Sequence, residues 1–181
     1  TNAESPFGAQ YDSLCDVISF GIAPAVMVFL WGFEELGRIG WVISFLYLAA
    51  AALRLARFNV EIESSDDKYF SGLPSPVAAA LVVYFIWTLS ASGIQNELVS
   101  FPLAILTATL TGTVTLLMVV NVPYYSFKDI NLRNRVPFFV ILFAVFIIAL
   151  ISIDPPIVLV SCAFAYVISG PIFYLFKTIR K

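Results

Sequence analysis

Val136 to Ile153 reads VPFFVILFAVFIIALISI, eighteen residues without a charge. A helix needs about 20 apolar residues to cross the hydrocarbon core of a bilayer, so a run like this constrains the chain before anything else does. Five further apolar stretches are of spanning length. The six are placed at 8–32, 38–59, 74–92, 100–120, 136–153 and 156–176. The "DPP" at 154–156 separates the last two, because Pro155 has no amide hydrogen with which to continue a helix. A tight helical hairpin is expected there.

The apolar excess is too large for a soluble domain. Hydrophobic residues make up 60% of the 181-residue chain and charged residues 12%. A soluble domain is about half apolar and about a quarter charged, and a core this small could not hide the difference. The expected fold is all-α, a polytopic transmembrane helix bundle of six spans, with residues 1–181 forming one membrane domain. No internal repeat and no soluble domain interrupts it. The longest polar stretches are EIESSDDKYFSG and NVPYYSFKDINLRNR.

Charge sets the orientation. Arg54, Arg57, Lys68, Lys128, Arg133, Arg135, Lys177, Arg180 and Lys181 fall on one side of a six-span arrangement, and only Arg38 falls on the other. Cytoplasmic loops carry the excess of Lys and Arg, so the nine mark the cytoplasmic face of a cell membrane. A net charge of −2, with the aromatics confined to apolar runs, leaves no surface for nucleic acid. Cys15 and Cys162 lie in different predicted helices and suit neither a disulfide framework nor a zinc site. The chain has no histidine, so a general base must come from a carboxylate or a less usual group.

FGAQYDSLCDVISFG, residues 7–21, puts two carboxylates at the mouth of the first span. Positions four apart on a helix share a face, so Gly8, Asp12 and Asp16 form one stripe. Asp16 lies roughly 12 Å deeper than Gly8 at about 1.5 Å per residue. Acids near a helix N-terminus favour the dipole, which accounts for Asp12 but poorly for Asp16, two turns further in. An intramembrane acid is tolerated where it faces a wet cavity, a cation or a base. Two carboxylates one turn apart repel, and a divalent cation relieves that repulsion. Two aspartates alone do not complete a metal site. Gly8 leaves a bare spot where a helix or ligand can approach.

Gly8-x-x-x-Asp12-x-x-x-Asp16 resembles the second half of the signature of the CDP-alcohol phosphatidyltransferase family. The first half, Asp-x-x-Asp-Gly-x-x-Ala-Arg, does not occur in the sequence; it is expected on a helix before Thr1, with two further helices upstream. SFGIAPA, ALRLARFN, YFSGLPSP and SFKDINLRNRVPF extend the likeness over nearly the whole chain, toward the bacterial integral-membrane, serine-accepting branch of the family. The resemblance implies two divalent metals, Mg²⁺ or Mn²⁺, held between the phosphates of a CDP-lipid. It implies that Asp12 is a metal ligand. It makes Asp16 the base that deprotonates the incoming alcohol, close to a metal as well. It also implies CDP-diacylglycerol and L-serine as substrates, CMP as leaving group, and a homodimer in the lipid bilayer.

Arg54 and Arg57, three apart at the cytoplasmic end of the second span, suit a lipid phosphate or the serine carboxylate, as guanidinium binds both. Snorkelling under the positive-inside rule is the plainer account, evenly weighed for Arg57 and favoured for Arg54. Asn59 reads as a helix cap. In GLPSP, residues 72–76, the prolines fix the backbone and Gly72 frees it. The resemblance sets this turn near the acceptor pocket, while a plain helix start explains it as well. Lys128 and Asp129 read as interfacial. Trp31, Trp41 and Trp87 read as an aromatic belt.

The activity implied is transfer of a phosphatidyl group from CDP-diacylglycerol to L-serine in a cavity at the cytoplasmic leaflet. Another acceptor, glycerol 3-phosphate or an inositol phosphate, is the runner-up, and it would call for more cations than Arg54 and Arg57. An ion-coupled transporter would use Asp12 and Asp16 as its ion site, but no charge lies mid-span elsewhere and no pair of broken helices is visible. A purely structural subunit leaves Asp16 unexplained.

Overall fold

The computed structural model describes residues 6–62, 69–94, 96–125 and 138–179. Lys68, Lys128, Asp129, Arg133, Arg135, Arg180 and Lys181 lie outside them. Helix α1 (Pro6–Asp16) runs through a π-helical turn (Val17–Ile22) into α2 (Ala23–Gly32) and a 3₁₀ turn (Phe33–Leu36). Helix α3 (Arg38–Ile62) returns. Strand β1 (Tyr69–Ser71) leads to α4 (Ser75–Ala91), then α5 (Phe101–Val119) and strand β2 (Pro123–Tyr125). Helices α6 (Phe138–Ile153) and α7 (Pro155–Ile179) close the chain, joined through Asp154 alone as the tight hairpin requires.

The all-α membrane bundle stands, but six spans is too many by length. Among the described residues, four helical stretches are long and apolar enough to cross: Gln10–Leu36, Arg38–Asn59, Phe101–Val119 and Pro155–Phe176. Helix α4 has 17 residues and α6 has 16. At about 1.5 Å per residue each is roughly 25 Å long, short of a hydrocarbon core of about 30 Å. For α4 the apolar stretch runs on into the flanking turns. Pro74 before α4 is extended, and Gly93 after it has a φ of 87°.

Most helices are apolar all round, so the core is visible only in the fold. Val28, Tyr47, Leu81, Val82, Val114 and Met118 fill it. Helix α4 packs on α7, and α3 on α5. Thr107 and Thr111 of α5 are fully buried, and each hydroxyl donates to the carbonyl four residues back, at 2.9 and 2.8 Å. That satisfies a polar group where water is absent.

Two prolines inside the helical path shape it. Proline cannot donate to the carbonyl four residues earlier. Pro24 therefore gives nothing to the Phe20 carbonyl, and the Tyr47 hydroxyl donates to that oxygen at 3.1 Å. The helix widens here into the π turn, with Ala23 N–H reaching Ile18 O, five residues back. Gly21 makes the turn's close approach to α3 possible: a Cβ there would stand 3.0 Å from Leu48 Cδ1. Pro171 likewise gives nothing to the Val167 carbonyl, and Tyr124 of β2 donates to it at 3.0 Å. Gly170 clears the space, since a Cβ on it would overlap the Tyr124 ring.

The strands form a small antiparallel ribbon at the end of the bundle, pairing Tyr69 with Tyr125, Phe70 with Tyr124 and Ser71 with Pro123. Gly72, at φ 85°, continues it: its N–H donates to Val122 O at 2.9 Å, and a Cβ would meet Met118 O at 2.7 Å. Leu73 N–H donates to Leu117 O at 2.9 Å. No pattern of residues announces this ribbon.

Of the tryptophans, Trp41 and Trp87 are exposed as a belt requires. Trp31 is not: it is 8% exposed and belongs to the core, because α2 is covered by α3 and α4 on that side.

Candidate active site

Gly8, Asp12 and Asp16 lie on one continuous helix, as the four-residue spacing requires. Gly8 and Asp12 are exposed and Asp16 is half-buried, at the point where α1 gives way to the π turn. Helix α3 runs antiparallel and brings its far end alongside. Asn59 Nδ2 donates to Ser13 Oγ at 2.8 Å, one residue from Asp12 and three from Asp16. Asn59 is thus no cap. The helix continues to Ile62, and Asn59 joins α3 to the carboxylate helix.

Two residues back along α3, Arg57 donates to Asn121 Oδ1, in the link between α5 and β2. Arg54 is 8% exposed and donates through Nη1 to Ser75 Oγ at 2.9 Å. Ser75 is fully buried and belongs to the GLPSP turn. This rules out snorkelling for Arg54. Snorkelling requires a guanidinium in water, and here it is buried between α3 and the start of α4. Tyr166 stacks on Tyr124, with ring centroids 5.6 Å apart. Burial first, and the Tyr166 ring second, push the Tyr124 phenol up to about 12, so it remains a neutral donor at physiological pH.

One end of the bundle therefore gathers Asp12 and Asp16, the arginines Arg54 and Arg57, and the turn through Ser75. The carboxylates are oxygen donors of the kind Mg²⁺ and Mn²⁺ take. Among the described residues no group of three His, Cys, Asp or Glu side chains assembles, so the pair fits a divalent ion only as part of a larger ligand set. A cavity of about 500 Å³ lies elsewhere, between α4, α5 and α7, and is lined by apolar residues such as Leu81, Phe85, Leu110 and Ile172.

Sequence reasoning missed Ser75, Asn121, Ser13 and Tyr124 as partners. Only Tyr124 had a sequence signal, and an indirect one: a proline at 171 inside an apolar helix implies that the Val167 carbonyl needs an outside donor.

A family model described as CDP-alcohol phosphatidyltransferase matches residues 1–120. Over 185 residues the chain is 33% identical to a CDP-diacylglycerol–serine O-phosphatidyltransferase of Helicobacter pylori (strain ATCC 700392 / 26695), covering 99% of this chain and 73% of that protein. A protein of the same name from Methanocaldococcus jannaschii is 33% identical over 175 residues, 97% of this chain and 74% of its own length. One from Saccharomyces cerevisiae is 42% identical over 89 residues, 45% of this chain and 32% of that protein. With a family match over the carboxylate stripe and relatives aligned over nearly the whole of this chain, the chain belongs to the CDP-alcohol phosphatidyltransferase family.

Proposed function

We propose that the protein is a phosphatidylserine synthase: it transfers the phosphatidyl group of CDP-diacylglycerol to L-serine and releases CMP. One observation carries the choice of acceptor. The family model ends at residue 120, whereas the relatives from Helicobacter pylori and Methanocaldococcus jannaschii, named for the serine reaction, align over 97–99% of the chain. Their likeness thus includes β2 and α7, the elements that back Arg54 and Arg57.

In this reading the serine hydroxyl attacks the phosphorus that carries the diacylglycerol. The new O–P bond forms as the O–P bond to CMP breaks, and Asp16 takes the hydroxyl proton. Arg54 and Arg57 bind the acceptor side, where guanidinium matches the serine carboxylate. The exposed Gly8 turn lets the nucleotide-lipid approach α1. The family generally works with a divalent metal. Asp12 and Asp16 would hold Mg²⁺ or Mn²⁺, which when bound neutralises charge on the pyrophosphate and on departing CMP. Two carboxylates are too few for such ions, so the reading takes the remaining ligands from an Asp-x-x-Asp-Gly-x-x-Ala-Arg helix preceding Thr1.

The same reading sets this end of the bundle at the cytoplasmic face of the cell membrane, supported by Arg54, Arg57, Lys68, Lys177, Arg180 and Lys181, which fall on its side whether four helices span or six. A homodimer rests on the family resemblance alone.

The test is CMP release from CDP-diacylglycerol in membranes holding the full-length protein. L-serine, glycerol 3-phosphate and an inositol phosphate are compared with Mg²⁺ or Mn²⁺ present and then chelated. Release with serine alone, stopped by chelator, is expected. Release with a phosphorylated acceptor and not with serine overturns the acceptor, and full release in excess chelator overturns the metal.

A further inference from the structure

Two arginines on the acceptor side are each held by a neutral partner, and both partners are tied to one short segment. Asn121 accepts from Arg57. Ser75 accepts from Arg54 and follows Gly72 and Leu73, whose amides donate to Val122 O and Leu117 O. Three residues after Asn121, Tyr124 leaves the segment for α7, fully buried, with its ring on Gly170 and its hydroxyl on Val167 O. That carbonyl lacks a helical donor because residue 171 is proline.

We propose that Asn121–Tyr124 is a positioning bracket for the acceptor site. In it the Tyr124 hydroxyl, by completing α7 where Pro171 interrupts it, fixes the placement of Arg57 and of the Arg54–Ser75 pair. The inference rests on the serine-transferase reading and adds positioning residues to it. Tyr124 and Asn121 touch no substrate. They act through the arginines, so their loss shows in acceptor affinity ahead of turnover. The proline gives the claim its sharpest consequence: restoring an amide at residue 171 supplies the missing donor and makes the tyrosine hydroxyl dispensable.

The experiment is a double-substitution cycle in membranes holding the full-length protein, read as kcat and KM for L-serine by CMP release. Tyr124→Phe removes one oxygen and leaves the ring. It is expected to raise the serine KM about five- to thirtyfold, the scale of one buried carbonyl left unsatisfied, with kcat and the KM for CDP-diacylglycerol within about threefold. In the Pro171→Ala background the same change is expected to move the serine KM less than about twofold. Asn121→Ala, at an exposed position, is expected to raise the serine KM alone, and it carries the test should Tyr124→Phe fail to accumulate. An unchanged serine KM in Tyr124→Phe or Asn121→Ala overturns the proposal. So does an equal effect of Tyr124→Phe with and without Pro171. If the unsubstituted protein uses a different acceptor, the acceptor assignment fails instead, and the cycle is read on the KM of the acceptor it does use.

Discussion

Asp12 stands exposed on a helix beside the Ser13–Asn59 hydrogen bond, whereas Arg54, at the same end of the bundle, is enclosed and bonded to a fully buried serine. The two sides of the site are built differently. On the carboxylate side one helix presents its polar stripe outward. On the arginine side α3, α4, the ribbon and α7 converge. A bare carboxylate stripe suits a donor set shared with other ligands. An enclosed guanidinium with a fixed partner suits recognition of one small anionic group, because its geometry is set before the ligand arrives. Both sides rest on the same device, a buried tyrosine hydroxyl on the carbonyl four residues before a proline. Tyr47 serves Phe20 ahead of Pro24, and Tyr124 serves Val167 ahead of Pro171. Tyr47 joins two spanning helices, while Tyr124 joins a helix to the ribbon that backs the arginines.

The contrast breaks most sharply at Asp16. Asp16→Asn is expected to lower turnover by about 10²–10⁴-fold with CDP-lipid binding retained, and near-parental turnover would remove the base from the carboxylate side. Arg57→Ala is expected to raise the serine KM by about 10–100-fold, the loss of one charge-assisted interaction, with a smaller change in kcat. Asp12→Ala is expected to raise the Mg²⁺ or Mn²⁺ concentration for half-activation by about tenfold or more. A metal titration that superimposes on the parent would detach Asp12 from the metal. The smallest effect separates the two tyrosines. Tyr47→Phe is expected to destabilise the protein by about 1–3 kcal/mol, read as a lower thermal midpoint in detergent, without moving the serine KM. A shift in KM equal to that of Tyr124→Phe would make the two anchors equivalent.

The sequence showed the helices and the carboxylate stripe well, and the arginine side badly, for a physical reason. Spanning helices announce themselves by length and hydropathy, so 38–59 was found as Arg38–Ile62 and 100–120 as Phe101–Val119. A carboxylate in such a run stands out whatever the tertiary fold. Burial of Arg54 depends on Ser75, 21 residues away, and the bond to Arg57 on Asn121, 64 residues away; neither leaves a local pattern. Helices that are apolar all round do not say which face is the core, so Trp31 looked like Trp41. The π turn and the ribbon are responses to packing and to Pro24, Gly72 and Pro171, whose partners no spacing rule supplies.

The division of labour between the two sides is tested most directly by measuring kcat and serine KM for Asp16→Asn and Arg57→Ala together, in one membrane preparation with saturating metal and CDP-diacylglycerol. Asp16→Asn is predicted to lose kcat with the serine KM near parental, and Arg57→Ala to lose serine affinity while keeping most of kcat. If both substitutions depress the same parameter to the same degree, the carboxylates and the arginines do not hold separate roles.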